Sequence, residues 1–121
     1  MDIKTRDYIV ADGNNNVIIF DIDGEIRRSD MTDATLHQLV KAQLERGRRD
    51  FLLNFEKVEF VDSFGVGEIL ASYISISNLG GKLKLVRISK RLYLIFQVTN
   101  LIRILSIYED EAAALESFGK P

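Results

Sequence analysis

Strand-like and helix-like segments alternate through the second half of the 121-residue chain. Residues 51–55 are almost continuously apolar, which is typical of a strand buried on both faces, and a helical pattern follows them. Residues 82–88 and 102–107 then have strand character, with a short helix between them. Strands that follow one another through helices lie parallel and are joined by right-handed crossovers. The order of segments therefore predicts an α/β fold built on a mostly parallel sheet.

The first part of the chain predicts an antiparallel hairpin in front of the parallel strands. Residues 3–10 and 17–22 have strand character, and the turn-forming residues 12–16 between them favour a hairpin. Gly24 is expected to break the second strand, because glycine weakens a strand interior. The predicted sheet is therefore mixed, with an antiparallel pair at one end.

About four helices are expected to cover this sheet, on one face and to a substantial extent on the other. Their ends are indicated by capping residues and by residues that tolerate a left-handed backbone. The first helix is expected to start at a cap on Thr32 or Asp33 and to end at Gly47, and the second to run from about 64 to 79 and to end at Gly80-Gly81. The third is expected to start at Ser89 and to end at Asn100, and the fourth to run from about 110 to 118.

The segment Asp62-Ser63-Phe64-Gly65 lies between the buried strand and the second helix, after a short connection over residues 56–60. A serine at such a boundary caps the helix and faces solvent, so Ser63 is predicted to be an accessible hydroxyl suited to a chemical switch. Phe64 is equally compatible with an exposed anchor for a partner and with inward packing. The helix that follows carries a stripe of small or apolar residues at helical spacing: Val66, Ile69, Leu70, Tyr73, Ile74 and Ser77.

Composition argues against several classes of function. The chain has no cysteine and one histidine, which excludes disulfides, thiolate metal sites and a multi-histidine metal site within one chain. The formal net charge of −2 argues against nucleic-acid binding, which needs a basic face. The sequence shows no apolar run of membrane-spanning length and no charged-then-apolar leader, so we expect a cytoplasmic protein without a membrane or cofactor partner.

Catalysis is not expected from the residues that the sequence offers. A serine hydrolase built on Ser63 would need His37 and an acid beside it, and the glycine two residues before the nucleophile is replaced by Val61. Gly65 and Gly67 are not followed by a lysine at the spacing of a phosphate-binding loop. Without other information, Asp62-Ser63 is most simply interpreted as a turn and a helix cap.

The chain resembles the STAS domains of bacterial anti-sigma factor antagonists over almost its whole length. In that family an Asp-Ser-(Ser or Thr)-Gly-Leu-Gly segment follows a buried strand, and residues 62–67 here are Asp-Ser-Phe-Gly-Val-Gly. Gly24-Glu25-Ile26 resembles the family's Gly-Glu-(Ile or Leu)-Asp segment, and residues 92–96 and 99–101 resemble its late helix and Gly-Leu ending. The resemblance implies a single STAS domain over residues 1–121.

The resemblance also implies a function and a site. In the family, the first serine of this segment is phosphorylated, which makes Ser63 the implied phosphoacceptor. The unphosphorylated protein binds an anti-sigma factor with a kinase-type ATPase domain, which frees the sigma factor for transcription; phosphorylation releases the partner and a phosphatase restores binding. The implied partner-binding residues are Asp62, Ser63, Phe64, Gly65 and Asp23. No catalytic, cofactor-binding or metal-binding residue is implied.

Three positions depart from the family pattern, and a second function remains open. Phe64 replaces a small hydroxyl residue, Arg27-Arg28 stands where the family commonly has an acidic residue, and Asn100 replaces a glycine. The first two change the surface that a partner would meet. The alternative function is a constitutive STAS scaffold, or a small subunit of a transporter or stress-signalling complex, in which Ser63 is not a switch.

Overall fold

The computed structural model describes residues 1–10, 16–28 and 34–119. These residues form five strands, four helices of the α type and one turn of 3-10 helix at Leu101–Arg103. In chain order the elements are β1 (Asp2–Ile9), β2 (Asn16–Ile26), α1 (Leu36–Glu45), β3 (Asp50–Val61), α2 (Ser63–Asn78), β4 (Lys82–Val86), α3 (Lys90–Val98), β5 (Ser106–Tyr108) and α4 (Glu111–Phe118). No helix among the described residues has both the length and the apolar character needed to cross a bilayer.

The five strands form one sheet in the order of the chain, β1-β2-β3-β4-β5. β1 and β2 are antiparallel, with Ile9 paired to Asn16, and the other neighbours are parallel. The α/β fold, the mixed and mostly parallel sheet and the N-terminal hairpin are therefore confirmed. The turn predicted at residues 12–16 lies, except for Asn16, outside the described residues.

β2 and β3 are both longer than the sequence indicates. β2 continues through Gly24 to Ile26, and residues 56–60, predicted as a connection, belong to β3. The predicted break at Gly24 was wrong because Gly24 adopts a φ of 109°, and register shifts around it allow the pairing with β3 to resume. As a result, Ile26 pairs with Val61 at the point where α2 begins.

Helices cover both faces of the sheet. α1, α2 and α3 bury apolar residues in the larger core cluster, which includes an edge-to-face pair of Phe20 and Phe51 with ring centroids 5.9 Å apart. α4 covers the opposite face with Ala114, Leu115 and Phe118, which belong to the same cluster as Leu52. The prediction that the strand of residues 51–55 is buried on both faces is confirmed.

Several helix ends agree with the sequence, and the first one does not. The Ser89 hydroxyl accepts a hydrogen bond from the Leu92 backbone N–H at 3.1 Å, and Asn100 adopts a φ of 61°. α1, however, is capped by Thr35 in a reciprocal pair with Gln38. The cap expected at position 32 or 33 was wrong, because the capping box at Thr35, two or three residues further along the chain, defines the start; residues 29–33 lie outside the described part.

Two smaller expectations also need correction. The buried face of α2 consists of Gly65, Ile69, Ser72 and Ile76, while Ile74 is 49% exposed. The helical stripe was misplaced because the Ser72 hydroxyl donates to the Glu68 carbonyl at 2.8 Å, which lets a polar residue be buried. The last strand is Ser106–Tyr108 and not residues 102–107, because the 3-10 turn occupies the start of that range.

Candidate functional site

Ser63 is the first residue of α2 and its side chain is exposed, as the sequence predicts. It lies at the carboxyl end of β3, where α/β folds commonly place their functional groups. The residue that caps the helix is Asp62, whose carboxylate accepts a hydrogen bond from the Gly65 backbone N–H at 2.8 Å. The capping role expected for Ser63 was therefore wrong, and the Ser63 hydroxyl is not committed to that bond.

Asp62 also connects α2 to the end of β2. Its second carboxylate oxygen accepts a hydrogen bond from the Arg28 backbone N–H at 3.1 Å, and its own N–H donates to the Ile26 carbonyl at 3.2 Å. Partial desolvation raises the pKa of Asp62, but the N–H groups of Gly65, Arg28 and Phe64 together with the charge of Arg27 outweigh it and hold the pKa below its ordinary value. The carboxylate is thus ionised beside Ser63.

Gly65 is buried where α2 touches β2. A Cβ atom at this position would lie 2.3 Å from the Ile26 carbonyl oxygen and 2.6 Å from Cγ1 of Val61. Only glycine allows the helix to approach this closely. The structure therefore places Gly65 beneath the surface, where it fixes the position of Ser63.

Phe64 is half-buried and packs against the end of β2. The guanidinium carbon of Arg28 lies 5.8 Å from the centre of its ring, within cation–π range. The neighbouring Arg27 forms an ion pair with Glu25 at 2.8 Å. The surface around Ser63 therefore combines a partly exposed aromatic ring with two arginines, in place of the acidic character that the family resemblance implies.

Asp23 is exposed on β2 but does not lie at the helix terminus. It is three residues before Ile26, which corresponds to about 10 Å along a strand. Its sheet neighbours are Asp2 on β1 and Lys57 on β3. The structure thus brings Asp62, Ser63, Phe64 and Gly65 together and leaves Asp23 at the margin of the same surface.

His37 is part of the contact between α1 and α2 and is remote from Ser63. Its Nε2 atom lies 2.8 Å from the Ser75 hydroxyl, and its backbone N–H donates to the Glu68 carboxylate at 3.1 Å. Ser75 is twelve residues along α2 from Ser63, which corresponds to about 18 Å. The histidine is partly buried and pairs with a different serine.

Sequence reasoning placed Arg27 and Arg28 on the partner surface but missed that residues 26–28 interact with Asp62. The Ile26 carbonyl accepts from the Asp62 backbone N–H, the Arg28 N–H donates to the Asp62 carboxylate, and the charge of Arg27 favours its ionised form, all from a distant part of the chain. A signal for this was present, because parallel neighbouring strands end at the same edge of a sheet and Gly24-Glu25-Ile26 marks the end of β2. The site is therefore built by two strand ends and one helix terminus.

Residues 8–114 match the family of STAS domains, and the chain belongs to that family. Among its relatives, the anti-sigma-B factor antagonist of Bacillus subtilis strain 168 is 31% identical over 94 residues, which are 78% of this chain and 84% of that protein. A TM1081 homologue from Thermotoga neapolitana is 38% identical over 73 residues, 60% of this chain and 65% of that protein. The latter match spans slightly less than two thirds of the relative.

Solved structures agree with the fold. TM1081 of Thermotoga maritima superposes with a TM-score of 0.76 at 28% identity, covering 100% of this chain and 93% of that one. SpoIIAA from Bacillus in its unphosphorylated form gives a TM-score of 0.69 at 18% identity, covering 98% and 100% of the two chains, and a structure of its phosphorylated form is also similar. At that identity the likeness to SpoIIAA concerns the fold alone.

Proposed function

We propose that this protein is an anti-sigma factor antagonist that acts as a partner switch in the cytoplasm. Unphosphorylated, it binds an anti-sigma factor that carries a kinase-type ATPase domain; phosphorylation of Ser63 by that partner ends the binding, and a serine phosphatase restores it. The protein itself catalyses no reaction. The observation that carries the proposal is the exposed Ser63 hydroxyl on a helix terminus that Asp62 and Gly65 hold in place.

The local geometry favours a switch that leaves the fold intact. A phosphate on Ser63 adds about −1.5 to −2 charges at neutral pH. The N-terminus of α2 stabilises such a charge by about 0.3–1 kcal/mol, and Arg27 and Arg28 stand beside it. None of the buried apolar contacts of α2 involves Ser63. The modification is therefore expected to act on binding more than on stability.

The effect on binding follows from Coulomb's law. An acidic group of a partner about 6 Å from the phosphate would be repelled by about 2–3 kcal/mol per unit charge at an effective dielectric constant near 20. A loss of about 2–3 kcal/mol in binding free energy lowers the affinity for the partner by a factor between about thirty and somewhat more than a hundred. The half-buried Phe64 offers an apolar anchor on the same surface, which supports a protein partner.

Two further observations support this function over other roles of a STAS domain. Relatives of the chain are named anti-sigma factor antagonists, and the structurally similar SpoIIAA has solved structures in a phosphorylated and an unphosphorylated form. Both facts concern those proteins. They support the proposal because Ser63 of this chain, next to the helix cap Asp62, lies where a phosphate can be added and removed without unfolding the domain.

A pull-down from lysate of the source organism, with and without ATP, tests the proposal. The baits are the parent protein, Ser63→Ala, Ser63→Asp and a matched control, Ser106→Asp, which adds the same charge at an exposed serine at the opposite ends of the parallel strands. We expect ATP to release the partner from the parent and to add one phosphate at Ser63, as read by mass spectrometry. Ser63→Ala should retain the partner with ATP, and Ser106→Asp should behave as the parent.

Two outcomes would contradict the switch. If Ser63→Asp captured the anti-sigma factor as well as the parent does, the added charge would not control binding. If ATP left the partner bound to the parent and to Ser63→Ala equally, the domain would instead be a constitutive scaffold or a subunit of a larger assembly. Circular dichroism of each bait separates both outcomes from a loss of folding.

A further inference from the structure

The charges of this protein are segregated along the chain. Residues 69–108, which run from α2 to β5, contain no aspartate or glutamate. The rest of the chain carries all eighteen acidic residues. The cations within the acid-free segment are Lys82, Lys84, Arg87, Lys90, Arg91 and Arg103, and all except Lys84 are exposed. In a protein with a formal net charge of −2, β4 and α3 therefore form a basic edge, which is bounded after β5 by Glu109, Asp110 and Glu111.

A groove of about 990 Å³ lies between α3 and β5 at this edge. Ile88 and Leu94 line it on the side of α3, and the segment before and within β5 contributes the buried Leu105 and the half-buried Ile102 and Ile107. Arg87 and Lys90 also line it. The carboxylate of Glu109 lies in the same lining, so the groove is concave, apolar within and, with two cations to one carboxylate, predominantly basic at its margin.

The outer face of α3 is apolar and unpartnered. Of the nine residues of α3, only Leu92 and Phe96 are buried. Leu94 is 59% exposed and Val98 is 84% exposed, and they lie four residues apart on one face of the helix, with Tyr93 41% exposed beside them. Exposed apolar residues that cluster in this way on a folded domain mark an interaction site more often than scattered ones do.

The backbone at the end of the groove is strained. Arg87 has a φ of 59°, a left-handed conformation that non-glycine residues rarely adopt, and its N–H donates to the Tyr108 carbonyl at 3.1 Å. This bond joins the connection after β4 to the end of β5. Strain of this kind persists where surrounding structure enforces it and is frequent at binding sites.

We propose that the α3–β5 groove binds an acidic amphipathic helix of a protein partner. Apolar side chains of that helix would enter the groove and pack on Leu94 and Val98, and its aspartates and glutamates would face Lys90 and Arg87. α3 is about 13 Å long, so it can accompany two to three turns of a partner helix. Charge complementarity with the basic edge selects an acidic partner over a basic one.

The shape of the surface favours a peptide over other anionic partners. A membrane would be met by a flat or convex apolar face, whereas here the exposed Leu94 borders a concavity that Ile102, Leu105 and Ile107 also line. A nucleic acid would call for phosphate-binding cations without an apolar stripe, and Leu94 and Val98 are prominent instead. The surface is also separate from the Ser63 switch, because none of its lining residues belongs to residues 62–65.

A displayed library of twelve-residue random peptides tests this proposal. The library is selected on the folded parent protein, and the recovered peptides are synthesised and measured by fluorescence anisotropy. We expect enrichment in Asp and Glu together with Leu, Ile or Phe at helical spacing, and weaker binding at higher salt. Leu94→Glu should weaken these peptides by about tenfold or more, because it places a charge in an apolar contact and repels acidic side chains.

Matched variants isolate the groove. Ile74→Glu makes the same kind of change at an exposed apolar residue on α2 and should leave affinity within about twofold. Lys90→Glu changes the first residue of α3, where a negative charge is compatible with the helix dipole. It should lower the affinity for acidic peptides by about threefold or more and raise the affinity for versions of them that contain lysine. Ser63→Asp should bind the peptides as the parent does.

Several results would overturn the proposal. The proposal is wrong if no peptide is recovered, if the recovered peptides are not enriched in acidic residues, or if the peptides bind Leu94→Glu as tightly as the parent. Anionic lipid vesicles or single-stranded DNA that bind the parent, lose affinity in Leu94→Glu and displace the peptides would assign the surface to a different class of partner. Loss of peptide binding in Ser63→Asp would show that the groove is not a separate surface.

Discussion

The two candidate surfaces of this domain are built on opposite principles. At the start of α2, one small hydroxyl is held by the backbone: Asp62 bonds to two segments, and Gly65 allows the helix to touch β2. At the α3–β5 edge, no single group is held in that way, and the surface consists of exposed apolar area with a basic margin. We expect substitutions in the first region to alter stability and the position of Ser63, and substitutions of the exposed apolar side chains in the second to alter binding with little effect on stability.

The largest effect on stability is expected from Gly65→Ala. The new Cβ would lie 2.3 Å from a backbone carbonyl oxygen, so α2 or the end of β2 must move. We expect the free energy of unfolding to fall by about 2–3 kcal/mol, as for an overpacked core site. Urea denaturation followed by circular dichroism measures this change.

Gly67→Ala is the matched control for this substitution. Gly67 is two residues further along α2, and a Cβ there meets nothing within 4 Å. Alanine is the better helix former, so the free energy of unfolding should rise by about 0.5–1 kcal/mol. Equal and small effects at the two glycines would contradict the claim that Gly65 sets the distance between α2 and β2.

The second effect in size is expected from Asp62→Ala. Removing the carboxylate leaves the N–H groups of Gly65 and Arg28 without their acceptor, and loss of a helix cap costs about 1–2 kcal/mol. The exposed Leu94→Ala, by contrast, should change the free energy of unfolding by less than about 0.5 kcal/mol. A larger loss at Leu94 than at Asp62 would reverse the contrast between the two regions.

The contribution of Asp62 also depends on pH. Its pKa is lower in the folded protein than the ordinary value of 3.8, so the folded state favours the charged form. The stabilisation is fully present above that ordinary value and is lost as the pH falls through the lower pKa of the folded state. Between pH 5 and pH 2, the parent should therefore lose more stability than Asp62→Ala, as measured by urea denaturation at each pH. Parallel curves for the two proteins would show that the carboxylate is not stabilised in its ionised form.

Much of the fold could be predicted because its signals are local. The apolar run at residues 51–55, the glycines that end helices and the alternation of elements each lie within a short window of sequence. The extension of β2 and β3 could not be predicted in the same way. It depends on pairing between two distant segments around Gly24, and a bulge restores a register that the local pattern hides.

The site was predictable in place but not in detail. The boundary between β3 and α2 places Ser63 at the surface, but either Asp62 or Ser63 is a good capping residue. The end of β2 decides which of the two residues caps α2. The Arg28 N–H donates to the second oxygen of Asp62, and a serine hydroxyl cannot replace both carboxylate oxygens. No property of residues 62–65 alone reveals that partner.

A small gain in stability is expected where the backbone of the groove is strained. Arg87 and Asn100 both have positive φ, at 59° and 61°, and both are exposed. A left-handed backbone costs an ordinary residue about 1–2 kcal/mol, whereas asparagine tolerates it. Glycine removes that cost but has more freedom to lose on folding, by about 0.5–1 kcal/mol. Arg87→Gly should therefore raise the free energy of unfolding by about 0.5–1 kcal/mol, and Asn100→Gly should leave it nearly unchanged.

Urea denaturation of both variants measures the difference. If Arg87→Gly were instead destabilising, the Arg87 side chain would hold the groove by contacts of its own, and the α3–β5 edge would resemble the Ser63 region more closely than its exposed surface suggests.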